Sequence, residues 1–113
     1  MKDFPNDADG DALRRIAAHS DMSKPMVIDF TVVVPSESAG LEVGRLAALR
    51  GYRSTVEKDA ENDEWTCCCT RSMLATYRNV VSAQQELDEI SASLGGRSDG
   101  WGTLGNGGLK PAE

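Results

Sequence analysis

Between Pro25 and Pro35 the apolar side chains alternate. Met26, Ile28, Phe30, Val32 and Val34 fall on one side, and Val27, Asp29, Thr31 and Val33 on the other. Period two with a mixed second face predicts a strand whose sheet is covered on one side only. The two prolines bracket it, because the residue before proline is driven out of the helical region. Elsewhere the period lengthens to three and four. Leu13, Ile16 and Ala17 predict a helix over 7–20, and Asp7, Asp9 and Asp11 crowd its start, where carboxylates complement the positive end of the helix dipole. Ala39, Val43, Leu46 and Ala47 predict a second helix that opens at Pro35-Ser36, with Ser36 or Ser38 as N-cap, and stops at Gly51. Tyr77, Val80, Ala83, Leu87, Ile90 and Leu94 predict a long helix over 74–94, ended by Gly95-Gly96.

Two short strands are expected between the second and third helices, over 52–59 and 65–71, joined by a polar turn around 60–64. In the later one Trp65, Cys67 and Cys69 share a face, and Thr66, Cys68 and Thr70 share the other. The order α-β-α-β-β-α contains most of a split βαβ pattern. The expected fold is therefore α+β: a ferredoxin-like α/β sandwich, an antiparallel-rich sheet with helices on one face. Residues 1–103 form a single domain on this reading, and the Gly-rich stretch 104–113 a flexible tail. Trp101 stands between Gly100 and Gly102, a poor setting for regular structure. It either folds back as a lid on the core, the favoured reading, or anchors a partner.

A chain of 113 residues holds one domain. Its 18 acidic and 12 basic residues leave a formal charge of -6, which argues against nucleic acid as a direct ligand, since phosphate binding needs a basic footprint. The opening MKDFPNDADGD lacks the apolar stretch of a signal peptide, and no apolar run approaches a membrane span. The expected location is the cytoplasm. Three consecutive cysteines, Cys67-Cys68-Cys69, suit buried thiols better than a disulfide framework or a zinc site, because His19 is the one histidine and no second cysteine pair exists.

Candidate chemistry is sparse. Asp7, Asp9 and Asp11 have calcium-loop spacing, but Ala12 stands where the loop needs glycine and Ala18 where it needs glutamate. His19 has no serine and acid arranged for nucleophilic catalysis, and HExxH, P-loop and GxGxxG signatures are missing. No enzyme activity, metal or cofactor is expected. The hairpin EKDAENDE is dense in carboxylates: Glu57, Asp59, Glu61, Asp63 and Glu64. It reads either as a solvated turn or as a contact patch for a basic partner. Glu86, Asp88 and Glu89 form a second acidic cluster, toward a helix end where negative charge opposes the dipole.

DADGDALRRI at 7–16, SKPMVIDFTVVVP at 23–35, GYRSTVEKD at 51–59, WTCCCTRSM at 65–73, YRNVVSAQQELDEI at 77–90 and DGWGT at 99–103 together resemble the regulator of ribonuclease E activity B (RraB) family. DGWGT following a long amphipathic helix is the most specific of these. The resemblance implies a ferredoxin-like sandwich and a non-enzymatic regulator that binds ribonuclease E and dampens its cleavage of RNA by protein–protein contact. The chain departs from the best-known members, which carry a long acidic extension after DGWGT. The candidate partner-binding residues are then Glu57, Asp59, Glu61, Asp63, Glu64, Glu86, Asp88, Glu89 and Trp101. The alternative is a small-molecule-binding ferredoxin-like module with a pocket near Trp101; neither reading settles the oligomeric state.

Overall fold

The computed structural model describes residues 4–60 and 63–106. Seven elements follow in order: α1 (Ala8–Ala17), β1 (Met26–Val34), α2 (Glu37–Ala48), β2 (Arg53–Lys58), β3 (Trp65–Met73), α3 (Tyr77–Ala92) and β4 (Arg97–Thr103). Each helix starts where a short polar side chain takes an orphan backbone N–H. Asp7 accepts from Gly10 at 2.8 Å, Ser36 from Ala39 at 3.1 Å and Thr76 from Asn79 at 3.0 Å. The cap at Thr76 starts α3 at Tyr77, the first residue of its apolar stripe and later than the expected start at 74. Gly51, at φ +94°, turns the chain from α2 into β2.

The strands form one sheet in the order β2-β3-β1-β4, every neighbouring pair antiparallel. β1 and β2 therefore run the same way with β3 between them, which is the split βαβ arrangement. With three helices, this is the α+β ferredoxin-like sandwich. α1 is an addition before the repeat.

β4 is the element the hydrophobic pattern does not announce. RSDGWGT neither alternates nor carries a β-branched run, and the reading of Trp101 as outside regular structure is corrected here. What makes the strand is the unsatisfied second edge of β1, whose backbone groups need partners. The pairing runs from Val33 opposite Arg97 to Ile28 opposite Thr103, with a register shift between Phe30 and Val32. Gly100, at φ +102°, absorbs that irregularity, a conformation that a residue with a Cβ resists.

Leu13, Ile28, Phe30, Val32, Val43, Val80 and Leu87 are fully buried between sheet and helices, together with Cys67 and Cys69. Gly40 lets α2 lie close on β2: a Cβ there would come within 2.9 Å of Val56 Cγ1. The opposite face of the sheet carries Val27, Asp29, Cys68, Thr70, Thr55 and Glu57, and Val27 is 52% exposed. The one-sided covering expected from β1 holds along Val27, Asp29 and Thr31 but not at Val33, which is 8% exposed on the same face.

Candidate protein-binding surface

The acidic hairpin closes β2 against β3. Asp59 N–H donates to the Glu64 carbonyl at 2.9 Å, extending the ladder one step past the strands. Glu57 lies on the uncovered face, opposite Thr66. Asp63 and Glu64 are exposed and Asp59 half-buried. Glu61 lies outside the described residues. Arg97, at the start of β4, approaches Glu64 with 3.9 Å between Nη1 and Oε2. A cation therefore sits inside the acidic patch, a feature invisible until β4 is known.

The three carboxylates of α3 do not act together. Glu86 Oε2 accepts from Arg50 at 2.7 Å, and Glu86 Oε1 accepts from the Tyr52 hydroxyl at 3.0 Å. Asp88, roughly 200° round the helix from it, accepts from the backbone N–H of Ser98 at 2.9 Å. Glu89 is exposed. Since Ser98 follows Arg97, Asp88 and Glu64 are tied to adjacent residues of β4. Glu64 and Asp88 are thus brought to the same end of β4, whereas Glu86 turns toward the end of α2.

Tyr52 is buried, its ring edge-on to Phe30 with centroids 6.2 Å apart and Arg71 above it at 5.3 Å. Burial, then the bond to Glu86, pushes its phenol up to about 12. A polar cleft of about 280 Å³ opens here, lined by Tyr52, Arg71, Asn79, Ser82 and Glu86 among others.

Trp101 faces the helices, opposite Phe30, and packs against the core half-buried. Its indole N–H donates to Asp9 Oδ1 at 2.8 Å, and Gln84 donates to Asp9 Oδ2 at 3.2 Å. Tyr77 donates to Asp7 Oδ2 at 2.6 Å. That bond, with the Gly10 N–H, holds the Asp7 carboxyl below its usual range. Sequence reasoning placed these aspartates at a helix start, which is right for Asp7 as N-cap, but missed their second task of seating α1 on α3 and β4. Asp11 pairs with Arg14 on the helix surface. Among the described residues no group of three His, Cys, Asp or Glu is placed to hold a metal ion.

His19 is exposed beyond α1. Cys68 lies half-buried on the open face, where burial pushes its thiol up, the wrong direction for a nucleophile. Asp29, on the same face, accepts from Thr70 Oγ1 at 2.7 Å. None of the described helices is long and apolar enough to cross a membrane.

The family model for regulator of ribonuclease activity B matches residues 6–103, a span that takes in every element and every candidate residue above. The chain belongs to the RraB family. RraB proteins are regulators of ribonuclease activity, and regulation of a ribonuclease through a protein partner is the role this membership carries. A search of curated proteins finds no match to the chain.

Proposed function

We propose that the chain binds ribonuclease E, or a related RNA-processing enzyme, in the cytoplasm and restrains its cleavage of RNA by protein–protein contact, without transforming a substrate itself. The observation that supports this most directly is that Glu64 and Asp88 are held on the adjacent β4 residues Arg97 and Ser98, with Asp63 and Glu89, their neighbours in sequence, exposed. An RNA-cleaving enzyme must present basic surface to hold phosphates. A carboxylate-rich end of a domain with net charge -6 is complementary to such a surface and steers toward it. Occupying that surface with protein carboxylates displaces RNA from it. Glu57 and Asp59 widen the patch along the hairpin. Glu86, bonded to Arg50 and Tyr52, and Trp101, bonded to Asp9, serve the fold and stand apart from this patch.

The test is retention of the full chain on immobilised ribonuclease E at low and moderate salt, with RNA cleavage measured alongside. Retention that weakens with salt, and cleavage that slows as the chain is added, support the reading. No retention at either salt sinks it.

A second reading, small-ligand binding, draws on the cleft over Tyr52, where Arg71 and Glu86 offer both signs of charge. A ligand there raises the melting temperature by linkage. A metabolite screen without any thermal shift removes this alternative.

A further inference from the structure

The two edges of the sheet are built differently. Along β4 the ladder shifts register between Phe30 and Val32, and Gly100 sits at φ +102°. An irregularity of this kind turns an edge away from further pairing. β2 has none: it follows β3 in unbroken register from Arg53 to Lys58, and among the described residues no element pairs with its outer side. The Asp59 N–H bond to Glu64 fixes the phase of that ladder. Counting back in twos, Glu57, Thr55 and Arg53 turn their backbone groups toward β3, and Ser54, Val56 and Lys58 turn theirs outward.

The side chains then select an occupant. Arg53, Thr55 and Glu57 lie together on the uncovered face, opposite Thr70, Cys68 and Thr66. Arg53 and Glu57 are exposed, and neither takes part in an ion pair among the described residues. We propose that β2 is a self-pairing edge, on which a second copy of this chain adds antiparallel about Thr55 to join the two sheets into one. In that register Ser54 faces Val56 of the other copy, so outward backbone groups meet outward backbone groups. Arg53 of each copy faces Glu57 of the other, at the non-hydrogen-bonded positions where opposed side chains come closest. A slip of one residue sets Arg53 against Lys58 and opposes inward groups to outward ones. Charges on an edge ordinarily guard it against its own kind. Here the signs, four residues apart, are complementary under a two-fold axis, which is the requirement for an isologous contact. Self-pairing requires no ribonuclease.

Sedimentation equilibrium of the full chain over a concentration series is the test. The wild-type mass climbs toward twice the monomer. Arg53→Glu and Glu57→Arg, each alone, set like charges face to face and weaken the dimer by about tenfold or more. The combined R53E/E57R chain restores it, which a general loss of folding or solubility does not do. Thr55→Cys in a Cys68→Ser background forms a disulfide-linked dimer on mild oxidation, and Cys68→Ser alone does not. A wild-type chain that stays monomeric throughout overturns the proposal, as does a dimer indifferent to both single reversals.

Discussion

Glu86 accepts hydrogen bonds from Arg50 and Tyr52, and Asp88 accepts one from the backbone of Ser98, while Glu57 and Asp63 of the β2–β3 hairpin face solvent. In sequence the two segments look alike, each a run of carboxylates. Their fates differ because their surroundings offer different donors. α3 lies between the end of α2 and the start of β4, and both present N–H groups to it. The hairpin stands at the end of a sheet, with Arg97 as its neighbouring cation. Carboxylate density does not by itself mark a contact surface; the supply of internal donors separates structural acids from those left for a partner. The dipole penalty expected for acids late in α3 is offset, for Glu86, by a direct ion pair.

That contrast can be tested residue by residue. Trp101 is the candidate most committed to the interior, so Trp101→Ala has the largest effect, a loss of about 3 kcal/mol in urea unfolding. A loss under about half a kilocalorie would return Trp101 to the surface. Glu86→Ala comes next. It strands a buried phenol and a guanidinium and costs about 1–3 kcal/mol, with little change in retention on ribonuclease. Joint reversal of Glu61, Asp63 and Glu64 to lysine gives the opposite profile. Unfolding stays within about 0.5 kcal/mol of wild type, and retention at low salt falls by about tenfold or more. If the hairpin variant unfolds easily, or Glu86→Ala abolishes binding in a folded chain, the distinction between the two acidic segments fails.

The smallest effect is spectroscopic. In a Tyr77→Phe chain the remaining phenol, Tyr52, ionises near pH 12 instead of 10.0. Its folded value is the higher one, so the stability it contributes is complete below pH 10 and is lost as pH rises toward 12. Glu86→Gln moves the absorbance midpoint back toward 10, since a neutral amide no longer penalises the phenolate. An unmoved midpoint assigns the shift to burial alone.

β1 was legible from alternation because one of its faces is fully apolar, and the cap of α2 was legible because capping is a local bond. For α1 only a crowd of aspartates was visible, of which Asp7 is the cap. The hairpin between β2 and β3 announces itself by a polar turn between two β-rich runs. β4 was not legible: its pairing is dictated by the vacant edge of a strand far away in sequence. The tasks of Asp7 and Asp9 were hidden for the same reason, since their partners Tyr77 and Trp101 lie 70 and 92 residues away. The acidic residues were all visible as letters, but which of them have donors depends on neighbours that only the folded chain supplies.

The Asp9–Trp101 bond also carries a consequence for order in time. It joins two residues 92 positions apart, so α1 leaves the ribosome well before the strand that completes its seat. Emergence of β4 then completes the docking of α1, and a nascent chain halted before Trp101 holds α1 with nothing from β4 to fasten it.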